Sequence, residues 1–113
     1  MSLTSHLPIY KASYDLTINL FQIIKEYTRE YKYTLGEQCK QEAIALICII
    51  TKANMAREKK SLLEQARGQV ETLRILLRLS KDLHLFSLEK FVTVNTSIES
   101  ISKQLAGREK SCR

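Results

Sequence analysis

The sequence predicts an all-α protein, an up-down-up-down antiparallel four-helix bundle built as a single domain over residues 1–113. Three observations carry this. Apolar residues recur at three- and four-residue spacing in four successive stretches. The chain has only three glycines and one proline, nearly all at the ends of those stretches. The connections are short, which favours antiparallel neighbours. No internal repeat or low-complexity segment interrupts the pattern.

The first predicted helix covers 9–31. Pro8 suits its first turn, where a missing N–H costs nothing. Ala12, Leu16, Leu20, Ile23 and Tyr27 make one apolar stripe, and Tyr14, Ile18 and Phe21 make a second on another face. That is more apolar surface than one neighbour covers. Tyr33 to Gly36 reads as a turn, with Gly36 the breaker and Thr34 a candidate cap. The second helix covers 37–56. Its middle, Ala43 to Ile50, is apolar all round and must be covered on most sides, which points to burial between subunits. The isoleucines would also suit a buried strand, but the flanks are helical in pattern and no turn chemistry brackets a strand.

A weakly signalled break at Asn54 to Lys60 precedes the third helix, 61–84. Leu63, Ala66, Val70, Leu73 and Leu77 form its core edge, and Gly68 is its weak point, costing ~1 kcal/mol against alanine. Leu85 and Phe86 make a turn, and Ser87 is placed to cap the fourth helix, 87–107. Phe91, Val94, Ile98, Ile101 and Leu105 supply the last core stripe, and Gly107 ends the helix as a C′ glycine would. Residues 108–113 read as a flexible basic tail.

Eighteen Lys and Arg against twelve Asp and Glu give a formal charge of +6. Such an excess favours polyanionic partners, nucleic acid first among them, and also serves plain solubility. Half of the excess lies between Lys59 and His84, where six cations face three carboxylates. The fourth helix, by contrast, balances to zero. Lys60, Arg67, Arg74, Arg78 and Lys81 recur at seven- and four-residue spacings and line one edge of the third helix, beside its core edge. Arginine dominates this stripe and makes the better bidentate contact to phosphate or carboxylate. The competing reading is a solvated face balanced by Glu64, Glu71 and Asp82.

Catalysis would need a nucleophile beside a base, paired carboxylates in a pocket, or a metal set, and the sequence offers none. The glutamates sit among charges at helical spacing, no Glu-x-x-His pair suggests a di-iron site, and no glycine-rich phosphate loop appears. No enzymatic activity, cofactor or metal is therefore expected. Cys39 and Cys48 lie nine positions apart on one helix, too far for a disulfide, and read as small buried packing in a reducing compartment. Tyr10, Tyr14, Tyr27, Tyr31 and Tyr33, interleaved with cations, read as packing at the rim of the bundle, with base stacking as the alternative. With no signal peptide and no membrane-length apolar run, a soluble cytoplasmic protein is expected.

The run Leu35-Gly36-Glu37-Gln38, then Ile47, Ala53-Asn54 and Lys59, and then Leu73-Arg74 and Leu77-Arg78-Leu79 resembles the accessory variability determinant (Avd) proteins of diversity-generating retroelements. Ile98, Ile101, Lys103-Gln104-Leu105, Gly107 and Lys110-Ser111 fit the same pattern. The likeness spans nearly the whole chain, and the same four-helix superfamily includes proteins encoded in intervening sequences of 23S ribosomal RNA genes. It implies a homopentameric ring of bundles, binding of RNA and DNA through a basic surface, and a complex with the element's reverse transcriptase that supports mutagenic cDNA synthesis and retrohoming. Arg74 and Arg78 match the family's basic positions, whereas Lys60, Arg67 and Lys81 come from helical geometry alone. The family commonly carries a tryptophan after the terminal glycine; here Arg108 stands there and the chain has no Trp. The alternative function is a protein–protein adaptor with no nucleic-acid role, whose arginines meet an acidic patch on a partner.

Overall fold

A computed structural model describes residues 6–112. Helix α1 spans Pro8–Ile24, α2 Arg29–Lys32, α3 Leu35–Met55, α4 Lys60–Asp82 and α5 Leu88–Lys110. The four long helices pack in the cyclic order α1, α3, α4, α5, each against two neighbours. No strand occurs among the described residues. The result is the predicted antiparallel bundle, 43 Å long and about half as wide. The core is the set of stripes read from the sequence: Leu16, Leu20 and Ile23 from α1, Leu46 and Ile50 from α3, Val70, Leu73 and Leu77 from α4, and Val94, Ile98 and Leu105 from α5. Each such side chain, fully buried, contributes about 1.5–3 kcal/mol.

The first helix is shorter than the predicted 9–31. It ends at Ile24 through two i→i+3 bonds, Glu26 N–H to Ile23 C=O and Tyr27 N–H to Ile24 C=O. Thr28 is then extended and opens the four-residue α2. Periodicity does not reveal this break, because Tyr27 is buried on the stripe's own spacing even though the helix has ended. Gly36 is likewise not a breaker. It lies buried in the first turn of α3, where a Cβ would stand 2.8 Å from Ile24 Cγ2 and 3.2 Å from the Tyr31 carbonyl oxygen, so α3 passes too close to α1 and α2 for any side chain. Thr34 does not cap α3; its hydroxyl donates to the Glu30 carbonyl.

The remaining helix ends show where capping is legible. Pro8 occupies the start of α1, and Ser87 Oγ accepts from Lys90 N–H at 3.1 Å to cap α5. The last carbonyls of α3 are satisfied by a distant side chain, with Lys59 Nζ donating to Ala53 and Asn54 at 2.8 and 3.0 Å. Helix α4 closes in a Schellman motif: Leu85 N–H donates to Ser80 C=O and His84 N–H to Lys81 C=O. His84 there adopts φ 60°, the left-handed conformation usually given to glycine. Gly107 does not end α5. The helix continues to Lys110, so Arg108–Lys110 are helical rather than a loose tail, and Arg113 lies outside the described residues.

Two apolar strips are left uncovered on the single chain. On α1 and α3, Tyr14, Ile18, Phe21 and Ile44 are 38–50% exposed, and Cys48 is exposed with them. The expectation that both helical cysteines are buried therefore fails for Cys48, which sits opposite the Ala43, Leu46 and Ile50 face of α3. Cys39 is fully buried as expected. On α4, Ile75, Leu79 and Leu83 form the second strip, at i, i+4 and i+8. No helix among the described residues is long and apolar enough to cross a membrane.

Candidate nucleic-acid interface

The five predicted basic positions all lie on α4, but their side chains divide into three settings. The core edge of α4 faces the bundle centre, so the stripe beside it runs along the seam with α5. Two of its arginines are clasped across that seam. Arg67 Nη1 meets Glu109 Oε2 at 2.6 Å, and Arg74 Nη1 meets Glu99 Oε1, with Arg74 Nη2 also 3.4 Å from Glu71 on its own helix. These pairs tie α4 to the carboxylates of α5, and their cations are spent within the chain. Arg74 is about two-thirds buried, and its Nε has no partner.

Arg78 and Lys81 differ. No ion pair or hydrogen bond engages the Arg78 guanidinium among the described residues. It borders a groove of about 300 Å³ between α4 and α5, together with Phe91, Asn95 and the Arg74–Glu99 pair. Lys81 lies 3.9 Å from Asp82, a loose contact, and its Nζ stands 5.1 Å over the Phe91 ring. Phe91 meets Phe86 edge to face at 6.1 Å, which fixes the ring at the groove's end. A free guanidinium on the groove and an ammonium over the Phe91 ring at its end can take a phosphate backbone.

Lys60 stands apart from both sets. It is at the first residue of α4, where it lines a separate pocket with Arg57 and Arg108 at the end of the bundle. The stripe is thus continuous in register but not as a surface.

The α5 wall of the groove is not evident from the sequence. Phe91 shares the core spacing of Val94 and Ile98, yet it is only half-buried, being one turn into the helix from the Ser87 cap. Asn95 carries no signal of its own, and only its place beside Phe91 and Glu99 brings it to the groove. The tyrosines do not form a platform: Tyr27 is buried, Tyr10 and Tyr14 stack on each other at 6.0 Å, and Tyr33 is exposed.

Elsewhere, the interior holds two acids whose ionisation is suppressed by burial. Desolvation pushes the Tyr27 phenol up to about 12 and the Cys39 thiol up to about 11. Both stay neutral near pH 7, which suits packing and argues against a reactive thiolate. Among the described residues no group of three or more His, Cys, Asp or Glu side chains could hold a metal ion.

A family model described as bAvd-like matches residues 7–112, nearly the whole chain. No curated protein matches it.

Proposed function

The chain belongs to the bAvd-like family, whose members are accessory rather than catalytic, and from this we propose that it is the non-enzymatic accessory protein of a diversity-generating retroelement. In this reading it binds RNA and DNA and the element's reverse transcriptase, and so supports mutagenic cDNA synthesis and retrohoming. The observation that carries the nucleic-acid part is the unpaired Arg78 guanidinium in the α4–α5 groove, with Lys81 over the Phe91 ring that lines it. Cations that release phosphate counterions give tight, salt-sensitive and sequence-tolerant binding, which suits a protein that must accept both template RNA and cDNA.

The uncovered apolar strips support a homo-oligomer. A closed ring with an odd number of subunits needs two different complementary surfaces on each subunit. Tyr14, Ile18, Phe21 and Ile44 offer one, and Ile75, Leu79 and Leu83 offer another. A pentamer built this way would repeat the Arg78 groove around its circumference. Light scattering giving a monomer overturns the ring.

A second reading is favoured by one observation: Arg67 and Arg74 are already neutralised by Glu109 and Glu99. A stripe whose central arginines are held within the chain also suits a protein–protein adaptor. Equilibrium binding to a labelled RNA separates the two. The nucleic-acid reading predicts binding that Arg78→Ala/Lys81→Ala weakens about tenfold or more, as the removal of two phosphate-binding cations should. The adaptor reading predicts that RNA neither binds nor displaces the reverse transcriptase.

A further inference from the structure

A pocket of about 510 Å³ lies at the far end of the bundle from the α4–α5 turn. It is walled by the start of α1, the α3–α4 connection and the last turn of α5. Its floor is aliphatic: Leu7, Ile9, Ile50, Leu63 and Leu105. Its rim is basic, with Arg57, Lys60 and Arg108 against the single carboxylate Glu58. Lys59 is occupied by the α3 carbonyls. No ion pair or hydrogen bond engages the side chains of Arg57, Lys60 or Arg108 among the described residues. Helices α1 and α4 both begin here without an acidic residue in their first turn or a side-chain cap, so their N-termini add to the positive potential of the rim, against Glu58 and the C-terminal carbonyls of α3 and α5.

We infer that this pocket docks an acidic peptide segment of a partner protein, with one bulky apolar side chain seated on the aliphatic floor and flanking carboxylates held by Arg57, Lys60 and Arg108. A space of this size takes one large side chain with its adjoining backbone. Nucleic acid suits it less well, because the walls present no aromatic ring for a base to stack on. Three unpaired cations around an apolar seat match an acidic segment with a buried anchor, the arrangement of a charged rim around a desolvated centre. The inference stands without the groove reading, since the two surfaces share no side chain.

The full chain contains no tryptophan, so a tryptophan in a probe peptide reports its own environment. The probe is a capped peptide of four glutamates around a central tryptophan. Its emission should shift to shorter wavelength and saturate on titration with the protein. A peptide with glutamines in place of the glutamates should bind about tenfold more weakly or worse, and so should Arg57→Ala/Arg108→Ala protein, whose substituted side chains sit at the surface. Arg78→Ala/Lys81→Ala protein should bind the peptide as the natural chain does, which separates failure of this site from failure of the groove. A peptide with alanine in place of tryptophan, followed by polarisation of an attached dye, should bind weakly. Absence of a saturable shift, equal binding of the glutamine peptide, or displacement by a single-stranded RNA that itself depends on Arg57 and Arg108 overturns the proposal.

Discussion

Replacing Gly36 by alanine adds one methyl group where α3 passes close to α1 and α2. That carbon would stand 2.8 Å from Ile24 Cγ2, 3.2 Å from the Tyr31 carbonyl oxygen and 3.4 Å from Tyr27 Cδ2. Carbon pairs settle near 3.5–4.0 Å, so the first approach is well inside the repulsive wall. Ile24 is 1% exposed and β-branched, so its Cγ2 moves only with the whole side chain, and the Tyr31 oxygen is backbone. Overpacking of this kind costs about 1–3 kcal/mol, offset by at most about 1 kcal/mol of helix propensity. With one contact to backbone, the upper part of that range applies, and the net loss is about 1–2 kcal/mol, or about 4–8 °C in Tm for a chain of this size. Gly68 supplies the internal control, because a Cβ there meets nothing within 4 Å. Gly68→Ala should gain about 0.5–1 kcal/mol from propensity alone. Thermal and urea unfolding followed by far-ultraviolet circular dichroism reads both, with every variant at one protomer concentration because association adds stability. If Gly36→Ala is as stable as the natural chain, or the two substitutions move Tm in the same direction, the close approach of α3 to α1 is wrong.

Other predictions rest on single side chains. His84→Gly should stabilise the protein by about 1 kcal/mol in the same unfolding assay, since glycine adopts φ 60° without the strain that a side chain meets there. Because the Cys39 thiol is held up at about 11 when folded, against an ordinary 9.0, the unfolded chain ionises first as pH rises. The contribution of this thiol to stability is therefore constant below about pH 9 and falls between about pH 9 and 11, by about 2–3 kcal/mol. The stability advantage of the natural chain over Cys39→Ala should shrink through that window, and a constant difference contradicts the burial. Arg74→Ala breaks the pairs with Glu99 and Glu71 and should cost about 0.5–1 kcal/mol, while Arg78→Ala should change stability by less than about 0.5 kcal/mol; paired urea titrations compare them directly.

Much of the bundle is legible in the sequence because helical periodicity encodes which side of each helix faces inward, as at Leu73 and Leu77 or Ile98 and Ile101. The Pro8 start and the Ser87 cap are legible because local chemistry alone determines them. Features set by tertiary contact are not. The break after Ile24 leaves the core spacing intact, Gly36 is required by a neighbouring helix rather than by a turn, and α5 runs past Gly107 to Lys110 because a lone glycine does not stop a helix. The basic stripe is visible as a register on α4, but register gives no partners. Glu99 and Glu109 reach Arg74 and Arg67 from a helix that is neutral by count between Ser87 and Gly107, and pairing across a seam has no sequence signature. What separates Arg78 from its neighbours is the absence of such a carboxylate.

The division of the stripe into spent and free cations is the central claim, and the salt dependence of RNA binding tests it most directly. The measurement is the slope of log Kobs against log salt concentration for a labelled single-stranded RNA. The slope should be clearly negative for the natural chain and smaller in magnitude by about 1.4 in Arg78→Ala/Lys81→Ala, at about 0.7 for each phosphate no longer neutralised. Arg67→Ala/Arg74→Ala, whose cations are already paired with Glu109 and Glu99, should change it far less. A flat slope for the natural chain, or equal reductions in the two double variants, would contradict the division.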